Sequence, residues 1–172
     1  KVPTRNRLAR GALHGWQVSG ITRFVSGAPA AVSLGTVTGT DYTGTPSLSP
    51  RIWITDNPVL PKSERTFSRN FRTDVFRIPP LGTYGNSART VVRGPGINNW
   101  DAALFKNFPL FSERTRLQFR WELYNAFNHT QFSAFDTSTR FDSQGNQINS
   151  RLSEFTTART PRQMQFALRL TF

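Results

Sequence analysis

"RLQFRWELYNAF", residues 116–127, decides the fold. Leu117, Phe119, Trp121 and Leu123 occupy alternate positions, and Gln118, Arg120, Glu122 and Tyr124 fill those between them. Successive side chains of an extended chain point to opposite faces, so this pattern predicts a strand with one apolar and one polar face. "RQMQFALRLTF", residues 162–172, repeats it: Met164, Phe166, Leu168, Leu170 and Phe172 alternate with Gln163, Gln165, Ala167, Arg169 and Thr171. Chain ends fray unless tied down, so alternation running through to Phe172 predicts a docked strand. "GWQVSGITRFV", residues 15–25, is a third strand, with Gly20 at an expected apolar position where a bulge would fit. "INNWDAALFKNF", residues 97–108, is a fourth, with Trp100, Ala102 and Leu104 on one face and Asp101 and Ala103 on the other.

Between the second and third of these strands in chain order lies "PLFSERT", residues 109–115, of hairpin length. The other connections, about 26–96 and 128–161, are far longer and read as loops. Pro46, Pro50, Pro58 and Pro61 exclude a central strand from the first of them. No internal repeat is visible.

Composition narrows the function. The 172 residues include 15 Phe, 4 Trp and 3 Tyr, which is too aromatic for a disordered chain. Cysteine is absent, so disulfides, thiolate catalysis and cysteine-ligated metals are excluded. No apolar run reaches the roughly 18 residues of a membrane helix, a test blind to transmembrane strands. The basic start, "KVPTRNRLAR", is not followed by an apolar core, so either an export signal was removed or the chain is a piece of something longer. The net charge of +12 comes from arginines scattered among apolar residues rather than gathered into a phosphate-binding stripe, so nucleic acid is not an expected partner.

Chemistry-bearing motifs are missing. His14 and His129 are the only histidines and have no acidic residue at ligand spacing, so no metal is expected. "RGPG" at 93–96 and "YGN" at 84–86 are turn chemistry and extend into no phosphate-binding pattern. Ser26 lacks the glycine spacing of a nucleophile elbow, and "NHT" at 128–130 carries no weight as a glycosylation site. Asp101 and Glu122 are expected to form an ion-pair ladder with Arg120 and Arg169 rather than an acid–base pair. The expected class is therefore not an enzyme, and no cofactor is implied.

Two-faced strands fit a soluble β-sandwich or a membrane barrel. Strand length favours the barrel, since the best strands match the roughly 9–11 residues of a tilted spanning strand. So does the long–short–long order of connections, the pattern of outer-membrane barrels with long outer loops and short inner turns. Trp16 and Trp100, near predicted strand ends, suit an interfacial aromatic belt. The expected fold is thus all-β: antiparallel strands of an outer-membrane β-barrel, with long extracellular loops. The alternatives are a soluble basic β-sandwich binding an anionic polymer (polysaccharide or nucleic acid), and a strand donor completed by other copies.

Three runs, "GTYGNSARTVVRGPGINNWDAALFKNFPL", "LQFRWELYNAFNHTQF" and "FALRLTF", together with "GWQVSGITRFVSGAPAAV", carry a family resemblance. In that order they resemble the C-terminal barrel region of TonB-dependent outer-membrane receptors, closest to the Oar-like group with an N-terminal carboxypeptidase-regulatory-like domain. The likeness covers nearly the whole chain and is weakest from about 36 to 62. It implies a barrel of about 22 strands around a plug, import of a large ligand such as a siderophore, oligosaccharide or peptide, and coupling to TonB. The implied partners are outer-membrane lipid, the rest of the barrel with its plug, the TonB system and the assembly machinery. Phe166, Leu168, Leu170 and Phe172 resemble the terminal signal that this machinery reads. Asp101, Gln118, Arg120, Glu122, Gln165 and Arg169 would line the lumen. In the long loops Arg51, Trp53, Arg65, Arg69, Phe71 and Arg72 offer cationic and stacking contacts to a ligand, with a bias toward anions. Four strands cannot close a barrel, so the rest would come from elsewhere.

Overall fold

The structure, a computed structural model, describes residue 11 and residues 13–110 and 115–172. The body of "PLFSERT" and the whole of "KVPTRNRLAR" lie outside the described residues. In chain order the strands are β1 (Trp16–Val25), β2 (Pro29–Ala30), β3 (Trp53–Ile54), β4 (Phe76–Arg77), β5 (Val92–Arg93), β6 (Ile97–Pro109), β7 (Arg116–Tyr124), β8 (Phe132–Phe135), β9 (Phe155–Ala158) and β10 (Gln163–Thr171). Among the described residues a single 3₁₀ turn, Lys62–Glu64, lies between β3 and β4. The chain divides into two compact units, one holding β1, β6, β7 and β10 and the other built from residues 26–96 and 131–159.

The first unit is one antiparallel sheet in the order β1-β6-β7-β10. All four predicted strands form, and their boundaries fall within a few residues of expectation. β1 pairs with β6 one-for-one from Trp16↔Lys106 to Val25↔Ile97, so the expected bulge at Gly20 is not there. Gly20 serves close approach instead, since a Cβ at this position would lie 3.1 Å from the Asp101 carbonyl oxygen. β7 stops at Tyr124, three residues short of the predicted end. Asn125 turns left-handed there (φ 53°), which an extended strand cannot continue, and its side chain bonds both backbone groups of His129 that reach it.

The sheet has one uncovered apolar face. Val18, Phe166 and Leu168 on that face are 75%, 62% and 69% exposed, values no sandwich core would show. Both long connections start and finish at the same end of the sheet, where Val25 faces Ile97 and Tyr124 faces Gln163. The short connection joins β6 to β7 at the opposite end, where Pro109 faces Arg116 and the Leu110 amide donates to the Thr115 carbonyl over 3.1 Å.

The second unit corrects the reading of the long connections as mere loops. It contains three two-stranded ladders, β2–β5, β3–β4 and β8–β9, around a core of Val32, Ile52, Phe71, Val75, Phe76, Val92, Phe141 and Leu152. The prolines do exclude a long strand, yet the two-residue β3 fits between Pro50 and Pro58 and pairs Trp53↔Arg77 and Ile54↔Phe76. Ser153, fully buried, closes the core: its hydroxyl accepts from the amides of Asn70 and Phe71 at 2.6 and 2.7 Å. This satisfies two backbone donors that burial would otherwise strand.

Candidate functional site

The register of the sheet sorts the side chains into two faces. On one, Trp121 faces Phe166 and Leu104, Phe119 faces Leu168, and Leu117 faces Leu170 and Phe108. β1 extends this apolar face with Trp16, Val18 and Phe24. Its two ends are aromatic. At one end Trp100 packs edge-on against Phe24 and Phe127, with ring centroids 5.8 and 5.7 Å apart. At the other, the Lys106 ammonium sits 5.0 Å from the Trp16 ring centroid and 5.5 Å from that of Phe108.

Lys106 is the exception to the apolar pattern and was not singled out in the sequence. It lies on the apolar face yet is 2% exposed, because its stem folds along Trp16 and Phe108 and its Nζ donates to the carbonyls of Gly11 and His14. A lysine near a strand end keeps its stem in apolar surroundings and places its charge on polar groups beyond the strand.

The other face holds the six residues expected to line a lumen. Glu122 faces Gln165 and Ala103, Gln118 faces Arg169 and Asn107, and Arg120 faces Ala167 and Phe105. Asp101 falls on the same face, opposite Ile21. The expected ion-pair ladder does not form: the ion pairs among the described residues join Arg72 to Asp56 and Asp74 and Arg151 to Glu154. Hydrogen bonds and ring contacts take its place. Asp101 accepts from Asn99 Nδ2 at 2.8 Å and from the Asn125 amide at 2.9 Å, which fixes the end of β7. Gln118 donates to Asn107 at 2.9 Å, and the Arg120 guanidinium lies over the Phe105 ring at 4.9 Å.

At the C-terminal end, Phe166, Leu168 and Leu170 share the apolar face, and pairing with β7 runs through Thr171. Phe172 follows the last paired residue and is 94% exposed.

The six loop candidates separate. Phe71 is a core residue, 1% exposed and packed edge-on against Phe76 and Phe135, so it offers no ligand surface. Arg72 is occupied by Asp56 and Asp74, and both carboxyls are held below their usual range mainly by its hydrogen bonds. Trp53 is half-buried in β3. Arg51, Arg65 and Arg69 remain exposed. Arg51 lies 5.3 Å over the Tyr84 ring and donates to the Ser87 carbonyl. Arg65 donates twice to the Leu60 carbonyl, at 3.0 and 2.9 Å. Sequence reading missed Arg93, which shares a cavity with Arg65, because its "RGPG" context reads only as a turn.

A family model described as an outer membrane beta barrel domain matches residues 1–165. No curated protein and no solved structure matches the chain.

Proposed function

This chain belongs to the outer membrane beta barrel domain family, and from that premise we propose that it is part of the wall of a TonB-dependent receptor that imports a large ligand. Its place is the bacterial outer membrane. The observation that carries the proposal is the two-faced sheet whose long connections leave from one end and build a compact unit with its own core. A receptor needs a structured surface to select its ligand, and a unit with its own core supplies one.

In this reading the apolar face meets lipid and the polar face, with Gln118, Arg120, Glu122, Gln165 and Arg169, lines the lumen. The two aromatic ends support it. From Trp100 to Phe108 the strand covers about 26 Å at roughly 3.3 Å per residue. A tilt of about 40° leaves about 20 Å of that along the barrel axis, most of the roughly 25 Å height of an apolar band between aromatic girdles. The sandwich alternative loses its basis, because its core would have to cover a face that stands open. The free edges of β1 and β10 pair with further strands of the same barrel, and Phe166, Leu168, Leu170 and Phe172 form the assembly signal. The chain's role is capture and passage, not chemistry.

The test is uptake in the native host. Deleting the gene should abolish accumulation of one labelled siderophore, oligosaccharide or peptide, and deleting TonB should do the same. Uptake that survives loss of TonB would sink the receptor reading and leave a passive barrel.

A further inference from the structure

We infer that the loop-built unit holds a binding site for an oxyanion carried on an apolar body, formed by Arg65 and Arg93. The site is a cavity of about 370 Å³, within the range of small-molecule pockets. Val59 and Val91 supply apolar wall, and Thr90 adds a hydroxyl beside the two arginines.

Both guanidiniums are held in place by backbone. Arg65 spends Nε and Nη2 on the Leu60 carbonyl, which fixes the plane of the group and leaves Nη1 for a ligand. Arg93 lies on β5 opposite Pro29 and anchors Nη1 on the Gly27 carbonyl at 3.3 Å, leaving Nε and Nη2. Neither arginine has a carboxylate partner among the described residues, and no acidic side chain lines the cavity. Arg72, in the same unit, shows the contrast: two carboxylates take up its charge. Two guanidiniums lining one cavity without an acidic neighbour there favour an anion in it. A carboxylate or phosphate matches a planar guanidinium with paired hydrogen bonds, and prior fixation of the donors lowers the ordering cost of binding.

The inference assigns a ligand class to the loops that the receptor reading makes responsible for capture, and its biological meaning rests on that reading. The binding itself is testable apart from it. The full chain, purified in detergent micelles, is titrated with 4-fluorophenylacetate, 4-fluorophenyl phosphate and the neutral 4-fluorophenylethanol, with fluorine NMR of each probe as the readout. Saturable broadening is expected for at least one anion and not for the alcohol, which reports partition into the micelle. Acetate without phosphate identifies a carboxylic acid ligand, and phosphate without acetate identifies a phosphate ester. Arg93→Gln should weaken binding roughly tenfold, the effect of losing a charged hydrogen bond, while Arg140→Gln should leave it unchanged.

The plain anion of the class that binds, acetate or inorganic phosphate, should displace the probe from the parent chain, a measurement that survives even where Arg93→Gln fails to fold. Equal binding of alcohol and anions, no saturation by either anion, or no competition by the matching plain anion overturns the site. Anion binding with uptake independent of TonB keeps the site and removes the receptor. TonB-dependent uptake without anion binding does the reverse.

Discussion

Trp121 on β7 and Phe166 on β10 face each other across the strand pair, with ring planes 9° apart and centroids 5.8 Å apart. Phe119 also stacks on Phe166, at 6.3 Å, so one phenylalanine ties two residues of the neighbouring strand. Aromatic pairs contribute about 0.5–1.5 kcal/mol beyond their burial. Phe166→Ala should therefore lower the unfolding free energy of the chain in lipid vesicles by at least that amount. Phe166→Leu, which keeps apolar volume but not the stack, should recover part of the loss. Equal losses for the two variants would show that the ring geometry contributes nothing.

The face assignment is tested by one charge placed on either side of β10. Leu168 faces Phe119 on the apolar side, and Gln165 faces Glu122 on the polar side. Leu168→Arg should cost about 2–4 kcal/mol near the middle of a bilayer. Gln165→Arg gains an opposite charge across the strands and should stay within about 0.5 kcal/mol of the parent. Equilibrium unfolding in vesicles reads both, and a reversed order would reverse the faces.

These faces were legible in the sequence because alternation with period two is a local property. Leu117 to Leu123 and Met164 to Leu170 needed no knowledge of their partners. The end of β7 was not legible, because Asn125 turns left-handed only when Asp101, 24 positions earlier, accepts its amide. Phe71 was misread for a similar reason: arginine-rich surroundings suggest exposure, but Ser153, 82 positions away, holds its backbone in the core. Arg72 looked free until the fold brought Asp56 and Asp74 to it. The resemblance pointed to the outer membrane, where the family match also places the chain.

Phe71 gives a direct separation of core from ligand surface. Phe71→Ala should destabilise the loop-built unit by about 3–5 kcal/mol, the usual cost of deleting a buried phenyl group. Trp53 is the sole tryptophan of that unit, so its fluorescence in a chain with Trp16, Trp100 and Trp121 changed to Phe reports the unit alone. A variant that keeps the parent's midpoint would return Phe71 to the surface.

Lys106 holds the entry to β1. Its ammonium caps the carbonyls of Gly11 and His14 beside the Trp16 and Phe108 rings. Lys106→Met keeps the stem but removes the donor from a carbonyl on exposed Gly11 and one on half-buried His14, a loss of about 0.5–1.5 kcal/mol. Amide exchange should rise at Trp16 and Gln17, the first residues of β1, and stay unchanged at Phe24. Uniform acceleration along the strand would instead mean that Lys106 supports the whole β1–β6 pairing.

Acid should weaken the loop-built unit through Arg72. Asp56 and Asp74 are held below their ordinary value of 3.8 chiefly by hydrogen bonds from that guanidinium. A carboxyl depressed in the folded state stabilises it above the unfolded value and loses that contribution as the pH falls through the folded one. Stability read by Trp53 should therefore be flat from about pH 8 to 5 and decline below about pH 4. Asp41 and Asp142, depressed by hydrogen bonds from Thr43 and Asn146, add to the same decline. Arg72→Leu releases Asp56 and Asp74 but not the other two, so its acid slope should become shallower without vanishing. An unchanged slope would mean that the Arg72 clamp is not felt in the folded state, and a loss of stability already at about pH 6 would point to a titrating group other than these carboxyls.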